Sequence, residues 1–110
     1  MERRYKDFDI EFFGEKIHVK FVNKVIDKGV WCFGMCDDDD NSTILVSLYT
    51  KKNKPVSDNA IKVTIIHEMF HIIMNSGQFQ RYSQNEPFVE WMAKSTYEIL
   101  MKNKNIMRQI

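Results

Sequence analysis

The sequence predicts an α+β domain, a small antiparallel β-sheet packed on two helices, and two features carry that expectation. In the first half, apolar and polar residues alternate with period two: Phe8, Ile10 and Phe12 share one face of residues 8–13, and Ile17, Val19 and Phe21 share one face of residues 16–22. In the second half, residues 59–76 run without a Gly or Pro, and a second apolar stripe at helical spacing follows it. Strands gathered ahead of helices, with no linker or repeat between them, describe one α+β domain over residues 1–110.

Gly14-Glu15 reads as the turn joining the first two strands. Residues 23–29 read as a polar connection with room for one helical turn. Residues 30–35 form a third strand and residues 43–48 a fourth, where Ile44, Val46 and Leu48 alternate against Leu45 and Ser47. Between those strands Asp37-Asp38-Asp39-Asp40 repel one another, which predicts a solvated loop. The spacing and distal Glu of an EF-hand calcium loop are missing. Cys32 and Cys36 stand four apart with no second pair, a pattern of packing thiols rather than of a zinc knuckle. His18 falls on the polar side of its strand and is expected at the surface.

After a Lys/Asn/Pro loop, Ser57 or Asp58 can cap the first helix and Gly77 stands where a C′ residue belongs. Its run of Ile, Val, Met and Phe leaves little polar face, so the helix is expected to be buried. Residues 77–83 are a polar connection. Ser83-Gln84-Asn85-Glu86 then resembles a capping box opening a second helix, with Pro87 in its first turn. That helix extends to about Lys102, packing through Val89, Met92, Ala93, Thr96 and Leu100, and residues 103–110 are expected to fray.

A formal charge of +1 with dispersed Lys and Arg marks no nucleic-acid-binding face. The N-terminal residues hold no apolar signal-peptide core, and no stretch approaches the ~18 apolar residues of a membrane span. These features, and two cysteines without an export signal, predict a soluble cytoplasmic protein with free thiols and no membrane partner. Oligomeric state is not specified.

The chemistry concentrates in His67-Glu68-Met69-Phe70-His71, an HExxH motif. Helical residues four apart lie one above the other, so His67 and His71 can present two imidazoles to one zinc ion, with Glu68 beside them as general base. A buried Glu68 without a partner would cost several kcal/mol, and a metal site gives a reason for it. Catalytic zinc takes three protein ligands. The longer metzincin pattern fails, because Met74 and Gly77 stand where it needs Gly and His. No His, Asp or Cys follows His71, so a downstream ligand has to be Glu86, Glu90 or Glu98. Glu86 and Glu90 share a flank of the second helix and Glu98 lies away from it.

The order of small sheet, HExxH helix and Glu86-Pro-Phe-Val-Glu-Trp-Met-Ala93 resembles the small HExxH metallopeptidase-like proteins of phages and prophages, minimal relatives of the ImmA/IrrE metallopeptidases and other gluzincins. The resemblance covers roughly residues 40–103. It implies a zincin-like fold in which the strand at residues 43–48 is an edge along which a peptide substrate can lie. It also implies Glu86 as the third zinc ligand, with Glu90 either behind a ligand imidazole or itself the ligand. Pro87 is a departure that bears on this choice, since it disfavours helical geometry in Glu86. Tyr82 and Tyr97 are candidate oxyanion donors. The expected activity is zinc-dependent hydrolysis of a peptide bond. The competing expectation is a non-catalytic, zinc-stabilised interaction module with the same ligands.

Overall fold

Residues 5–37 and 42–110 are described by a computed structural model. Asp38, Asp39, Asp40 and Asn41 of the acidic loop, and with them the question of a calcium loop, lie outside the described residues. The first hairpin joins β1 (Phe8–Phe12) to β2 (Glu15–Val22), with Phe12 opposite Glu15. Its two-residue turn is therefore Phe13-Gly14, one position earlier than the sequence suggests. Both residues take positive φ, 50° and 80°, as a type I′ turn requires for its twist to match the strands.

The expected polar connection at residues 23–29 is mostly a second hairpin. Val25–Asp27 (β3) pairs with Val30–Cys32 (β4) across Lys28-Gly29, again with φ of 51° and 80°. Two apolar residues, Val25 and Ile26, are too few to announce a strand. The chain breaks at Phe33, so the expected strand at 30–35 becomes β4 and a separate β5 (Gly34–Cys36).

The main sheet has the order β1-β2-β6-β5, where β6 is Thr43–Ser47. It is mixed rather than antiparallel. Strand β6 runs parallel to β2, with Val19 opposite Ile44 and Phe21 opposite Val46, and antiparallel to β5. Alternation fixes which side chains face the core but not a neighbour's direction, and residues 23–42 make the long connection that a parallel pair needs. The expected edge strand at 43–48 is consequently central, with most of its residues buried on both faces, and the edge beside the helices is β5.

Val19, Phe21, Ile44, Val46 and Ile61 form the fully buried centre. Ile61 belongs to α1 (Asp58–Ser76), whose N-terminus is capped by Ser57 accepting from the Ala60 amide at 3.2 Å. Only Ile61, Thr64 and Glu68 of α1 are buried. Four strands and one further long helix cannot enclose every side of it, so the expectation of a buried helix holds only for the stripe facing the sheet.

The helix ends in a Schellman arrangement, in which the Phe79 amide donates to Met74 O at 2.7 Å and the Gln78 amide to Asn75 O at 3.3 Å. Gln78, not Gly77, holds the positive φ of 63°. Gly77 serves close packing instead: a Cβ there would sit 2.9 Å from the Phe79 ring.

Gln80–Ser83 form a short α2, and α3 spans Glu86–Lys102. Asn85 caps α3, its side chain accepting from the Phe88 amide at 3.2 Å, in place of the expected Ser83. Val89 and Ala93 are buried as the stripe predicts, whereas Leu100 is exposed beside Ile99 and Met101. A short α4, Ile106–Gln109, occupies the tail expected to fray.

Strand β5 lies so close to α1 that a Cβ on Gly34 would meet Thr64 Cγ2 at 2.6 Å and Leu45 O at 2.8 Å. Gly34→Ala should therefore separate strand from helix and destabilise the protein by about 1–3 kcal/mol, the range for overpacking a tight contact. Urea denaturation measures this, and an unchanged midpoint would contradict the close packing.

Candidate metal centre

His67, Glu68 and His71 all lie on α1, whose turn brings the two imidazoles to one side. Their Nε2 atoms are 3.2 Å apart. Glu86 enters from the first turn of α3: its Oε2 is 3.0 Å from His67 Nε2 and its Oε1 is 3.1 Å from His71 Nε2. Pro87 does not swing it away. With Asn85 as the cap, Glu86 is the first helical residue and Pro87 the second, so the missing amide proton disturbs no helical bond. Glu90, one turn on, is set back, its Oε1 3.8 Å from His67 Nδ1. Glu98 does not line the site.

The fit to a metal can be judged from these donors. Nitrogen or oxygen donors ~2.0–2.1 Å from a tetrahedral zinc stand ~3.3 Å from one another. The observed separations, taken to the two oxygens of Glu86, are close to that, and His67, His71 and Glu86 are the one such group of three among the described residues. Protons satisfy the cluster poorly. If both Nε2 atoms carry hydrogens for Glu86, the two N–H groups face each other across their own 3.2 Å contact. A cation accepts all three lone pairs at once. The donors, two imidazoles and a carboxylate, are those of catalytic zinc.

Two residues given other roles from sequence belong to this site. Ser83, read as a helix cap, is buried, and its Oγ is 2.8 Å from His71 Nδ1. With Nδ1–H donating to that oxygen, His71 keeps its Nε2 lone pair directed at the centre. Cys36, read as a packing thiol, donates from Sγ to Glu68 Oε1 at 3.4 Å. No spacing in the sequence marks either, because each reaches the site through the fold.

The tyrosines do not reach it. Tyr97 donates to Asn59 Oδ1 at 2.6 Å, Tyr82 packs against Phe79 and Phe88, and neither lines the cavity. His18 lies on β2, paired across the strands with Asp9 at 2.6 Å.

The centre opens into a cavity of about 430 Å³ whose walls include β5, α1 and Glu86 and Glu90 of α3. Glu68 is only 8% exposed. Burial pushes its carboxyl above the ordinary range, and Glu86 adds to this, while His67, His71 and the Cys36 thiol oppose it. Comparison with protein-family models, curated proteins and solved structures gives no match for this chain. Among the described residues no helix is long and apolar enough to cross a membrane.

The raised Glu68 carboxyl has a consequence for metal-free protein. At a pH near its ordinary value the folded state holds the proton more tightly than the unfolded chain. As pH rises through the folded-state value, the buried group ionises and that stability is lost. Glu68→Gln, which never ionises, should then be more stable than wild type in chelator-treated protein at pH 7.5, with the gap narrowing toward pH 4.5. Urea melts at the two pH values measure it, and a gap that widens on acidification would reverse the assignment.

Proposed function

We propose that this protein is a zinc-dependent metallopeptidase of gluzincin type, a minimal zincin-like domain that hydrolyses an internal peptide bond. The observation that carries the reading is the convergence of His67, His71 and Glu86 beside a buried Glu68 in one open cavity. Kinship with the small phage and prophage HExxH proteins rests on the motif residues alone.

His67, His71 and Glu86 would hold the metal, with Ser83 and Glu90 behind the imidazoles. Bound zinc supplies Lewis acidity, polarising a carbonyl and lowering the pKa of a water toward ~7. Glu68 accepts a proton from the attacking water as its oxygen bonds to the carbonyl carbon. It returns that proton to the amine nitrogen as the C–N bond breaks. Burial strengthens its hold on the proton between the two transfers. The open edge of β5 offers backbone groups with which an extended substrate could pair.

A second reading is favoured by the exposed apolar residues of α3, among them Trp91 at 69% and Ile99. On that reading the domain is a zinc-stabilised interaction module, and the same ligands serve stability alone.

Protein expressed with ample zinc should carry about one ion per chain, the content of a single three-ligand site. His67→Ala or His71→Ala should abolish this, and Glu86→Gln should weaken affinity more than Glu90→Gln. Ser83→Ala should cost roughly 10–100-fold, the usual effect of losing a group behind a ligand imidazole. Chelator competition measures all of these, and metal-free protein after zinc-replete expression would exclude both readings.

Glu68→Gln separates them. A peptidase should keep its zinc and lose cleavage by roughly 10²–10⁴-fold, the share of general-base catalysis. Comparing new protein N-termini in host cells carrying wild type or the variant tests this without a known substrate. Identical profiles at matched expression would favour the interaction module.

A further inference from the structure

The metal cavity is not closed at either end. Toward the N-terminus of α1 it shares Phe33, Val63, Thr64 and Glu90 with a recess of about 300 Å³ that reaches Asn59 and Lys94. Toward the C-terminus it shares Cys36 and Asn75 with a narrow neck of about 180 Å³. That neck shares Ile72 and Ser76 with a cavity of about 820 Å³ between the end of α1 and the β1–β2 hairpin. Through these shared walls the four spaces lie in series as a groove along α1, whose residues from Asn59 to Ser76 span about 25 Å at ~1.5 Å per residue.

Its two ends differ in character. The far cavity is walled by Phe12, Phe13, Ile73, Met74 and Phe79, all apolar. Glu15 and Lys16 also line it, and their opposite charges leave no preference for a charged occupant. From His71 to Ser76 is five residues of helix, ~7.5 Å, the span of two or three residues of extended chain at ~3.3 Å each.

Resting on the peptidase reading, we propose that the substrate is an internal stretch of extended polypeptide that threads this groove, with a large apolar side chain two or three residues from the scissile bond seated in the cavity between α1 and the β1–β2 hairpin. A groove open on both sides of the metal ligands needs no free terminus, so cleavage is internal. Phe, Leu, Ile or Met fills the apolar cavity, whereas a charged side chain would lose water against Phe12, Phe13, Ile73, Met74 and Phe79.

The experiment uses end-blocked decapeptides of randomised sequence. Digestion by the zinc-loaded protein, read by mass spectrometry, should yield internal cuts with Phe, Leu, Ile or Met enriched at one fixed position two or three residues away. Ile73→Ser, at an exposed position, should flatten that enrichment while cuts persist. In parallel, fluorescence anisotropy with Glu68→Gln should show a selected peptide binding tenfold or more tightly than its copy with Ser at that position. Ile73→Ser in the same background should erase the difference. Cleavage with no fixed apolar position would overturn this inference and leave the peptidase standing. Apolar-dependent binding without any cleavage would support the groove and overturn the peptidase. Neither cleavage nor binding would overturn both.

Discussion

A carboxylate at 8% exposure in a domain of 110 residues is the constraint around which the rest is arranged. Burial makes the charged form of Glu68 costly, and the neighbours that ease the cost come from two elements: the imidazoles from its own helix, the Cys36 thiol from β5. Strand β5 can come that near only because Gly34 has no side chain to hold it off Thr64. A polar centre is thereby placed against the sheet, where a helix would ordinarily put a Leu or Ile.

The third group comes by a longer route. Glu86 is 64% exposed and is not wedged into position by packing. Its place is set by backbone, through the Asn85 cap and the turn of α2 that leads into it. Buried Val89 and Ala93, one and two turns further on, seat α3 against the core and hold that first turn over α1. Anchoring a carboxylate by its helix leaves its side chain free to adjust.

Local periodicity made the α+β class, the α1 boundaries and the grouping of His67, Glu68 and His71 legible, because period and capping are properties of neighbouring residues. The direction of β6 was not legible, since Ile44 and Val46 alternate identically whether their partner is parallel or antiparallel. Ser83 was misread because a hydroxyl three residues before a Glu satisfies the capping pattern, while Asn85 did the capping. Cys36 does pack against the core as expected, but its contact with Glu68, 32 positions away, was not legible. What the sequence hid was mostly long-range.

The Schellman ending of α1 turns the chain at Gly77-Gln78 and carries it back through α2, so that Ser83 arrives behind His71. The eleven residues between them form a ring closed at one end by covalent backbone and at the other by a single hydrogen bond. Such a ring has a fixed circumference. The turn at residues 51–54, bonded among Thr50, Asn53 and Lys54 and to the exposed Lys24 side chain, can absorb a change in length without news of it reaching His67, His71 and Glu86. Residues 77–82 have no such slack. Among related sequences, insertions and deletions should accumulate in the first segment and be rare in the second, a record of the site written in chain length rather than in residue identity.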